Sequence, residues 1–241
     1  MKTALLILDM INTLDFPEAP RLLKTALPAA VAIQKLRIRL RKKNIPVIFV
    51  NDNFGHWRSN WHEVYDLCTS DKSRGKEIAH LLKPEKDDYF ILKPKHSGFF
   101  ETALDALLKD LKVSHLVITG IAGNICVLFT ANDGHMREYK ITVVKDCVAS
   151  NSARDQSFAL GQFKGCSKTE GRTIKSFADL KASTEMARSV SLSAGRSVRR
   201  SASPSTPFSS RRNCLAQVQA VCASTNAEFI RDLERRSSCQ R

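Results

Sequence analysis

Five short apolar runs set the strongest limit on how this chain can fold. They are rich in β-branched residues, continuous rather than alternating, and occupy residues 4–8, 46–50, 88–92, 115–119 and 141–144. Continuous apolar runs of this length are typical of strands that are covered on both faces of a parallel sheet. The sequence therefore predicts a buried sheet with helices packed against each side.

Segments with helical spacing separate these runs. Apolar residues recur every three or four positions from Ala29 to Leu40, and Pro28 fits the first turn of that helix. Two further helices are predicted over residues 100–111 and 125–138. The alternation of strand and helix predicts a three-layer, doubly wound α/β fold with a mostly parallel sheet.

The composition changes along the chain. Residues 1–180 contain 27 Lys and Arg against 20 Asp and Glu, whereas residues 181–241 contain 11 against 4 and are rich in Ser and Arg. We therefore predict a folded domain over residues 1–180 and a low-complexity, disordered tail over residues 181–241. The tail holds half of the net charge of +14, which argues against a folded nucleic-acid-binding face. Two origins stay open for the tail: a changed reading frame, or an arm that binds an anionic partner.

The cellular location is predicted from what the sequence lacks. No apolar run is long enough to span a bilayer, and the first run ends at Asp9 without a cleavage site for a signal peptide. The seven cysteines are odd in number and form no CxxC pair, so a disulfide framework or a zinc site is not expected. We expect a cytoplasmic protein with no membrane partner.

Polar residues stand directly after four of the predicted strands. These are Asp9, the pair Asn51 and Asp52, Lys93, and the segment 120–126. The carboxyl ends of parallel strands meet at one edge of the sheet, and ligands bind there. We therefore expect these residues to form one site.

Cys126 is the candidate nucleophile. It lies in the string TGIAGNICV at residues 119–127, which predicts a strand end, a turn of small residues and a helix start. A thiol at a helix N-terminus lies near the positive end of the helix dipole and near free N–H groups, and both favour the reactive thiolate. A cysteine between Ile125 and Val127 is otherwise more often a packing residue, so the interpretation depends on its position in the fold.

Lys93 and Asp9 each have a catalytic and a plain interpretation. Lys93 could lower the pKa of the thiol and stabilise negative charge, or it could be a solvated residue at a strand end. Asp9 could act as a general base, or it could serve as a turn or cap residue.

Several strings together resemble the isochorismatase-like family of cysteine hydrolases, which includes nicotinamidases, N-carbamoylsarcosine amidase and isochorismatases. LLILDM at residues 5–10 resembles the opening strand of the family, and KPKHSGF at 93–99 resembles its lysine segment. GIAGNICV at 120–127 resembles the nucleophile segment, and DCVAS at 146–150 resembles the stretch after the fifth strand. The resemblance covers about residues 2–164.

The resemblance implies a mechanism and a set of site residues. Asp9, Lys93 and Cys126 would form a catalytic triad that cleaves a C–N bond of a small amide or ureide through a covalent cysteine intermediate. The N–H groups of Ala122 and Cys126 would form an oxyanion hole beside a cis peptide between Ile121 and Ala122. The implied partner is a small-molecule substrate, no cofactor is implied, and a homo-oligomer is compatible with the family.

Three aromatic or imidazole side chains are candidates for the walls of the pocket. His96 stands where the family's lysine segment has an aromatic residue, so it could titrate in the pocket or be an ordinary surface histidine. Phe16 and Trp57 are further candidates, although aromatic residues more often serve packing.

The sequence predicts a site without a metal ion. Nicotinamidases of the family carry an Asp-x-His metal motif, whereas the corresponding string here, DNF at residues 52–54, lacks the histidine. His56 and His62 are nearby, but their spacing does not match the motif. This departure argues against a typical nicotinamidase.

Other functions were weighed against the amidohydrolase interpretation. A noncatalytic isochorismatase-like binding or scaffold protein and a vinyl ether hydrolase of the isochorismatase type stay open. A nucleic-acid binder is disfavoured, because no RNP, zinc-finger or helix-turn-helix signature is present. A dinucleotide-dependent oxidoreductase is also disfavoured, because Asp9 rather than a GxGxxG string follows the first predicted strand.

Overall fold

The computed structural model describes residues 1–166 of the chain. Within this range the elements are, in order, β1 Lys2–Leu8, α1 Ala19–Arg41, β2 Val47–Asp52, α2 Trp61–Thr69, α3 Lys76–Leu81, β3 Tyr89–Lys93, α4 Leu104–Asp110, β4 Val113–Gly120, α5 Leu128–Met136, β5 Lys140–Val148 and α6 Ala153–Cys166. The predicted domain boundary at residue 180 and the predicted tail lie outside the described residues.

The five strands form one parallel sheet with the order β3-β2-β1-β4-β5. From β1 in the centre, the chain winds outward through β2 and β3, and then outward on the other side through β4 and β5. This arrangement confirms the predicted doubly wound α/β fold. Leu8 at the end of β1 lies opposite Val50 and Gly120, and Asp52 lies opposite Lys93, so the carboxyl ends meet at one edge.

Two apolar cores cover the two faces of the sheet. Leu5 and Ile7 of β1 pack in a core with residues of α1, α2 and α3. Leu6 and Leu8 point the other way, as successive side chains of a strand do, and pack with residues of α4, α5 and α6. Burial on both faces explains why the strand sequences are apolar without alternation.

Helix α1 starts earlier than the sequence predicted. It begins at Ala19, Pro20 lies in its first turn, and Pro28 is inside the helix, so the placement of Pro28 in the first turn was wrong. The buried stripe extends back through Leu22 and Ala26, and this packing outweighs the hydrogen bond that an internal proline removes. Among the helices of residues 1–166, none has the combined length and hydropathy that a bilayer-spanning segment needs.

The two other predicted helices are shorter than expected. The segment predicted from residue 100 becomes helical only at Leu104, because Glu101 adopts a left-handed conformation with φ of 51°. The helix predicted over residues 125–138 is a π-helical turn, Gly123–Val127, followed by α5. In that turn the N–H of Val127 donates to the carbonyl oxygen of Ala122, five residues earlier, at 3.2 Å.

Candidate active site

The structure brings Asp9, Lys93 and Cys126 together at the carboxyl edge of the sheet. Asp9 follows β1, Lys93 is the last residue of β3, and Cys126 lies in the π-helical turn after β4. The Nζ of Lys93 lies 2.9 Å from Oδ2 of Asp9 and 3.6 Å from Sγ of Cys126. Lys93 and Asp9 are buried, whereas Cys126 is partly exposed. The predicted convergence is therefore observed, and the catalytic roles stay predictions.

Each carboxylate oxygen of Asp9 has its own donor. Lys93 donates to Oδ2, and the backbone N–H of Asp52 donates to Oδ1 at 2.7 Å. Asp9 itself adopts a left-handed conformation with φ of 52°, which aspartate tolerates better than most residues. The carboxylate is thereby held in one orientation beside the ammonium and the thiol.

The charges of the site leave the thiol of Cys126 protonated. Burial raises the pKa of Cys126 well above its ordinary value, the charge of Asp9 raises it further, and Lys93 opposes both effects. Burial also raises the pKa of Asp9 while Lys93 lowers it, and burial lowers the pKa of Lys93 while the charge of Asp9 raises it, with a net rise. The helix N-terminus predicted a lowered pKa for this thiol, whereas the structure raises it, because one ammonium serves two acidic groups in a buried setting.

The pH dependence of alkylation tests this assignment. We expect the rate at which iodoacetamide modifies Cys126 to keep rising beyond the pH at which an ordinary cysteine is half ionised, because the pKa of its thiol is raised. Peptide mass spectrometry across a pH series measures this rate. N-acetylcysteine in the same buffers serves as the reference for an ordinary thiol, because Cys68 and Cys147 are fully buried and closed to the reagent. A plateau in mildly acidic buffer would instead indicate a low-pKa thiolate.

The turn before Cys126 is fixed by hydrogen bonds to neighbouring segments. The peptide between Ile121 and Ala122 is cis, as the resemblance implied. The N–H of Ile121 donates to the carbonyl of Leu8 at 3.0 Å, and the N–H of Gly123 donates to the carbonyl of Ala149 at 2.8 Å. Within residues 1–166, no acceptor is hydrogen-bonded to the N–H of Ala122. This donor is thus available to a ligand, as an oxyanion hole requires.

Glycine is required at position 120, where the end of β4 lies beside the end of β1. It has φ of +118°, and a Cβ at this position would lie 2.1 Å from the carbonyl oxygen of Leu8. We expect Gly120→Ala to lower the free energy of unfolding by about 3 kcal/mol or more, because it combines a backbone conformation closed to alanine with a steric overlap. Urea unfolding measures the change.

The matched control is Gly161→Ala in α6. A Cβ there has no atom within 4 Å, so alanine should stabilise the helix by up to about 1 kcal/mol. Equal stabilities of the Gly120→Ala and Gly161→Ala proteins would contradict the steric argument.

One of the three predicted pocket residues, His96, interacts with the triad in the part of the chain that the structure describes. The ring of His96 packs against Phe129 at a centroid distance of 5.7 Å, and the charges of Lys93 and Asp9 influence its pKa. Trp57 is 77% exposed and lines a separate surface depression whose lining contains no triad residue. Phe16 packs against the core beside α1, which is the plain interpretation of an aromatic residue.

Asp52 belongs to the site, as its predicted position at the end of the second strand indicated, although the sequence assigned it no role of its own. Its Oδ2 lies 3.9 Å from Nζ of Lys93, and its N–H holds Asp9. Within residues 1–166, no group of three or more His, Cys, Asp or Glu side chains converges as a metal site would require. Asp52 is the last residue of β2 and lies opposite Lys93 in the register of the sheet.

A second pair of contacts joins the lysine segment to the helix that follows Cys126. Ser97 donates a short hydrogen bond to Asp133, and the N–H of Gly98 donates to Oγ1 of Thr130 at 2.9 Å. The sequence analysis missed Thr130 and Asp133. Their spacing of four and seven residues after Cys126, which puts them on one helix face, was the only signal.

Comparison with known proteins relates this geometry to a family. The family model described as an isochorismatase domain matches residues 3–174. The uncharacterized isochorismatase family protein YaaI of Bacillus subtilis (strain 168) is 49% identical over 157 residues, covering 65% of this chain and 86% of its own. Ureidoacrylate amidohydrolase RutB of Serratia proteamaculans (strain 568) is 33% identical over 172 residues, covering 60% of this chain and 68% of its own.

The fold is also similar to that of a solved amidase. The crystal structure of N-carbamoylsarcosine amidase from Thermoplasma acidophilum aligns with a TM-score of 0.56 at 26% identity, covering 72% of this chain and 97% of that one. The family model spans well over half of the chain, and the sheet order and helical layers are those of an isochorismatase-like fold. The chain therefore belongs to the isochorismatase family.

Proposed function

We propose that this protein is a cysteine amidohydrolase that cleaves a C–N bond of a small amide or ureide. The observation that carries the proposal is the convergence of Asp9, Lys93 and Cys126, with Lys93 within 2.9 Å of the carboxylate and 3.6 Å of the sulfur. A nucleophile, a base and a cation in mutual contact are the parts that covalent acyl transfer requires.

In the first half of the reaction, Cys126 attacks the carbonyl carbon of the amide. Its proton passes to Asp9 as the S–C bond forms, because the resting site holds a thiol beside a carboxylate. Negative charge develops on the carbonyl oxygen, which the N–H groups of Ala122 and Cys126 would bind. Collapse breaks the C–N bond, and Asp9 returns the proton to the departing amine.

In the second half, water releases the acyl group from sulfur. Asp9 accepts a proton from the water as the water oxygen attacks the thioester; the sulfur of Cys126 then leaves as the thiolate and takes that proton back from Asp9. Lys93 keeps its charge throughout and stabilises the negative charge that moves between Asp9 and Cys126. No cofactor takes part in this scheme.

The names of the relatives support the type of bond. Two of the proteins to which the chain is similar are named as an amidohydrolase and an amidase. The presence and contact of all three triad side chains argue against a noncatalytic scaffold, because a binding protein has no need to hold a thiol against a buried ammonium and carboxylate.

A screen of small compounds tests the proposal. Primary amides, ureides and vinyl ethers are incubated with the protein, and ammonia and acid release are measured. We expect ammonia release from at least one amide or ureide. Turnover of vinyl ethers alone would support the isochorismatase-type alternative, and no turnover of any compound by protein with a reactive Cys126 would support the scaffold.

A further inference from the structure

Among Asp9, Asp52 and Lys93, Asp52 is the charged group that is accessible to a ligand. Its side chain is 36% exposed, against 0% for Lys93 and 6% for Asp9. Its Oδ1 accepts the N–H of Phe54 at 2.6 Å. Its Oδ2 is 3.9 Å from Lys93, which is beyond hydrogen-bond length. Asp52 therefore presents one carboxylate oxygen that can still accept a hydrogen bond from a ligand.

The charges around Asp52 leave the site negative. Asp9 and Lys93 form a contact ion pair and cancel one another, and the thiol of Cys126 carries no charge in the resting site. Among residues 1–166, Asp52 is then the unbalanced charge next to Lys93, which contacts the nucleophile. A ligand that carries a carboxylate would place like charges close together in a partly buried setting, which is costly.

The neighbouring residues His96 and Lys95 do not reverse this negative charge. His96 is neutral, because partial burial lowers its pKa and the charge of Lys93 acts in the same direction. Lys95 also acts on His96, but its side chain is exposed to solvent. An exposed cation is screened by water and salt more strongly than a partly buried carboxylate that lies against Lys93.

We propose that Asp52 selects uncharged amides or ureides, because it accepts an N–H from such a ligand and repels one that carries a carboxylate. This inference rests on the proposed function for the role of Cys126 as the nucleophile. It separates the chain from its relative named for ureidoacrylate, since that compound is an anion at neutral pH. Asp52 is thus a residue that determines specificity.

Alkylation of Cys126 tests the selection without any knowledge of the substrate. Iodoacetamide and iodoacetate are nearly isosteric, and one is an uncharged amide while the other is a carboxylate. In each case the sulfur forms a bond to the CH2 carbon, iodide leaves with the electron pair of the C–I bond, and the thiol proton is lost to Asp9 or solvent. The ratio of the two rates, read at Cys126 by peptide mass spectrometry, measures discrimination by charge.

We expect Cys126 to prefer iodoacetamide by about tenfold more than N-acetylcysteine does under the same conditions. Asp52→Asn should remove most of this excess, since it deletes the charge and keeps both the backbone N–H to Asp9 and a side-chain oxygen for Phe54. Asp52→Glu should retain the excess. The matched control Asp71→Asn, which removes a fully exposed carboxylate, should also retain it.

Three results would overturn the inference. They are a wild-type ratio equal to that of N-acetylcysteine, an undiminished ratio in Asp52→Asn, and a Cys126 that iodoacetamide does not reach. If Asp52→Asn does not fold, the ratio of rates at wild-type Cys126 against that of N-acetylcysteine still tests whether the site discriminates by charge. If discrimination is found but no amide is hydrolysed, the proposed function fails while the charge selection stands.

Discussion

Replacing Cys126 with alanine is expected to lower kcat/KM for the amide substrate by about 10⁴-fold or more, as the loss of a covalent nucleophile does in other hydrolases. The free energy of unfolding should change by less than about 1 kcal/mol, because a partly exposed side chain of this size fills little core volume. Steady-state ammonia release and urea unfolding measure the two quantities.

Cys68→Ala is the matched control for the thiol. Cys68 is fully buried in the core beside Val64 and Ile78, so its truncation should cost about 1 kcal/mol of stability and leave kcat/KM nearly unchanged. Cys126→Ala should thus lose activity and keep its stability, whereas Cys68→Ala should lose stability and keep its activity. A Cys126→Ala protein with near wild-type turnover would end the proposal of covalent catalysis by this residue.

Replacing Lys93 with methionine should damage both activity and stability. Without the ammonium, Asp9 loses its charged partner and keeps only the N–H of Asp52 and the thiol of Cys126, and the charge that forms on sulfur has no counterion. We expect kcat/KM to fall by about 10³-fold and the free energy of unfolding to fall by about 3 kcal/mol near neutral pH. Burial already raises the pKa of Asp9, and loss of Lys93 raises it further.

The loss of stability in Lys93→Met has a defined dependence on pH. A carboxyl whose pKa is raised in the folded state stabilises the fold at low pH, and this contribution is lost as the pH rises through the folded pKa. The deficit should therefore be smallest in acid, where Asp9 is protonated, and should grow towards neutral pH. Urea unfolding at several pH values measures it.

Lys76→Met and the double variant Asp9→Asn/Lys93→Met are the controls. Lys76 forms an exposed ion pair with Asp71, so its replacement should change stability by less than about 1 kcal/mol. The double variant should recover part of the lost stability without activity, because no buried charge is left unpaired. A Lys93→Met protein as stable and as active as Lys76→Met would contradict the assignment of a buried catalytic pair.

The sheet and the triad could be predicted because their signals are local. Continuous apolar runs identify strands that are covered on both faces, and residues that follow parallel strands must meet at one edge. The sequence alone therefore predicts that Asp9, Lys93 and Cys126 lie together. The same rule placed Asp52 at this edge, whereas the register that sets it opposite Lys93 is known only from the structure.

The remaining features depend on contacts that the sequence does not encode locally. The raised pKa of Cys126 arises from the balance of burial, Asp9 and Lys93, whereas the local pattern indicated only a helix N-terminus. The early start of α1 depends on packing of Leu22 and Ala26 that outweighs the effect of Pro28. Shared charges and burial thus set the pKa of Cys126, and tertiary packing sets the start of α1, whereas local propensity does not.

The central claim is that an acyl group is carried by Cys126 during hydrolysis. Acid quenching of the protein with an amide that releases ammonia, followed by peptide mass spectrometry, tests it most directly. We expect the peptide that contains Cys126 to increase in mass by the mass of the acyl group. An unmodified Cys126 peptide at every quench time, together with undiminished turnover by the Cys126→Ala protein, would contradict it.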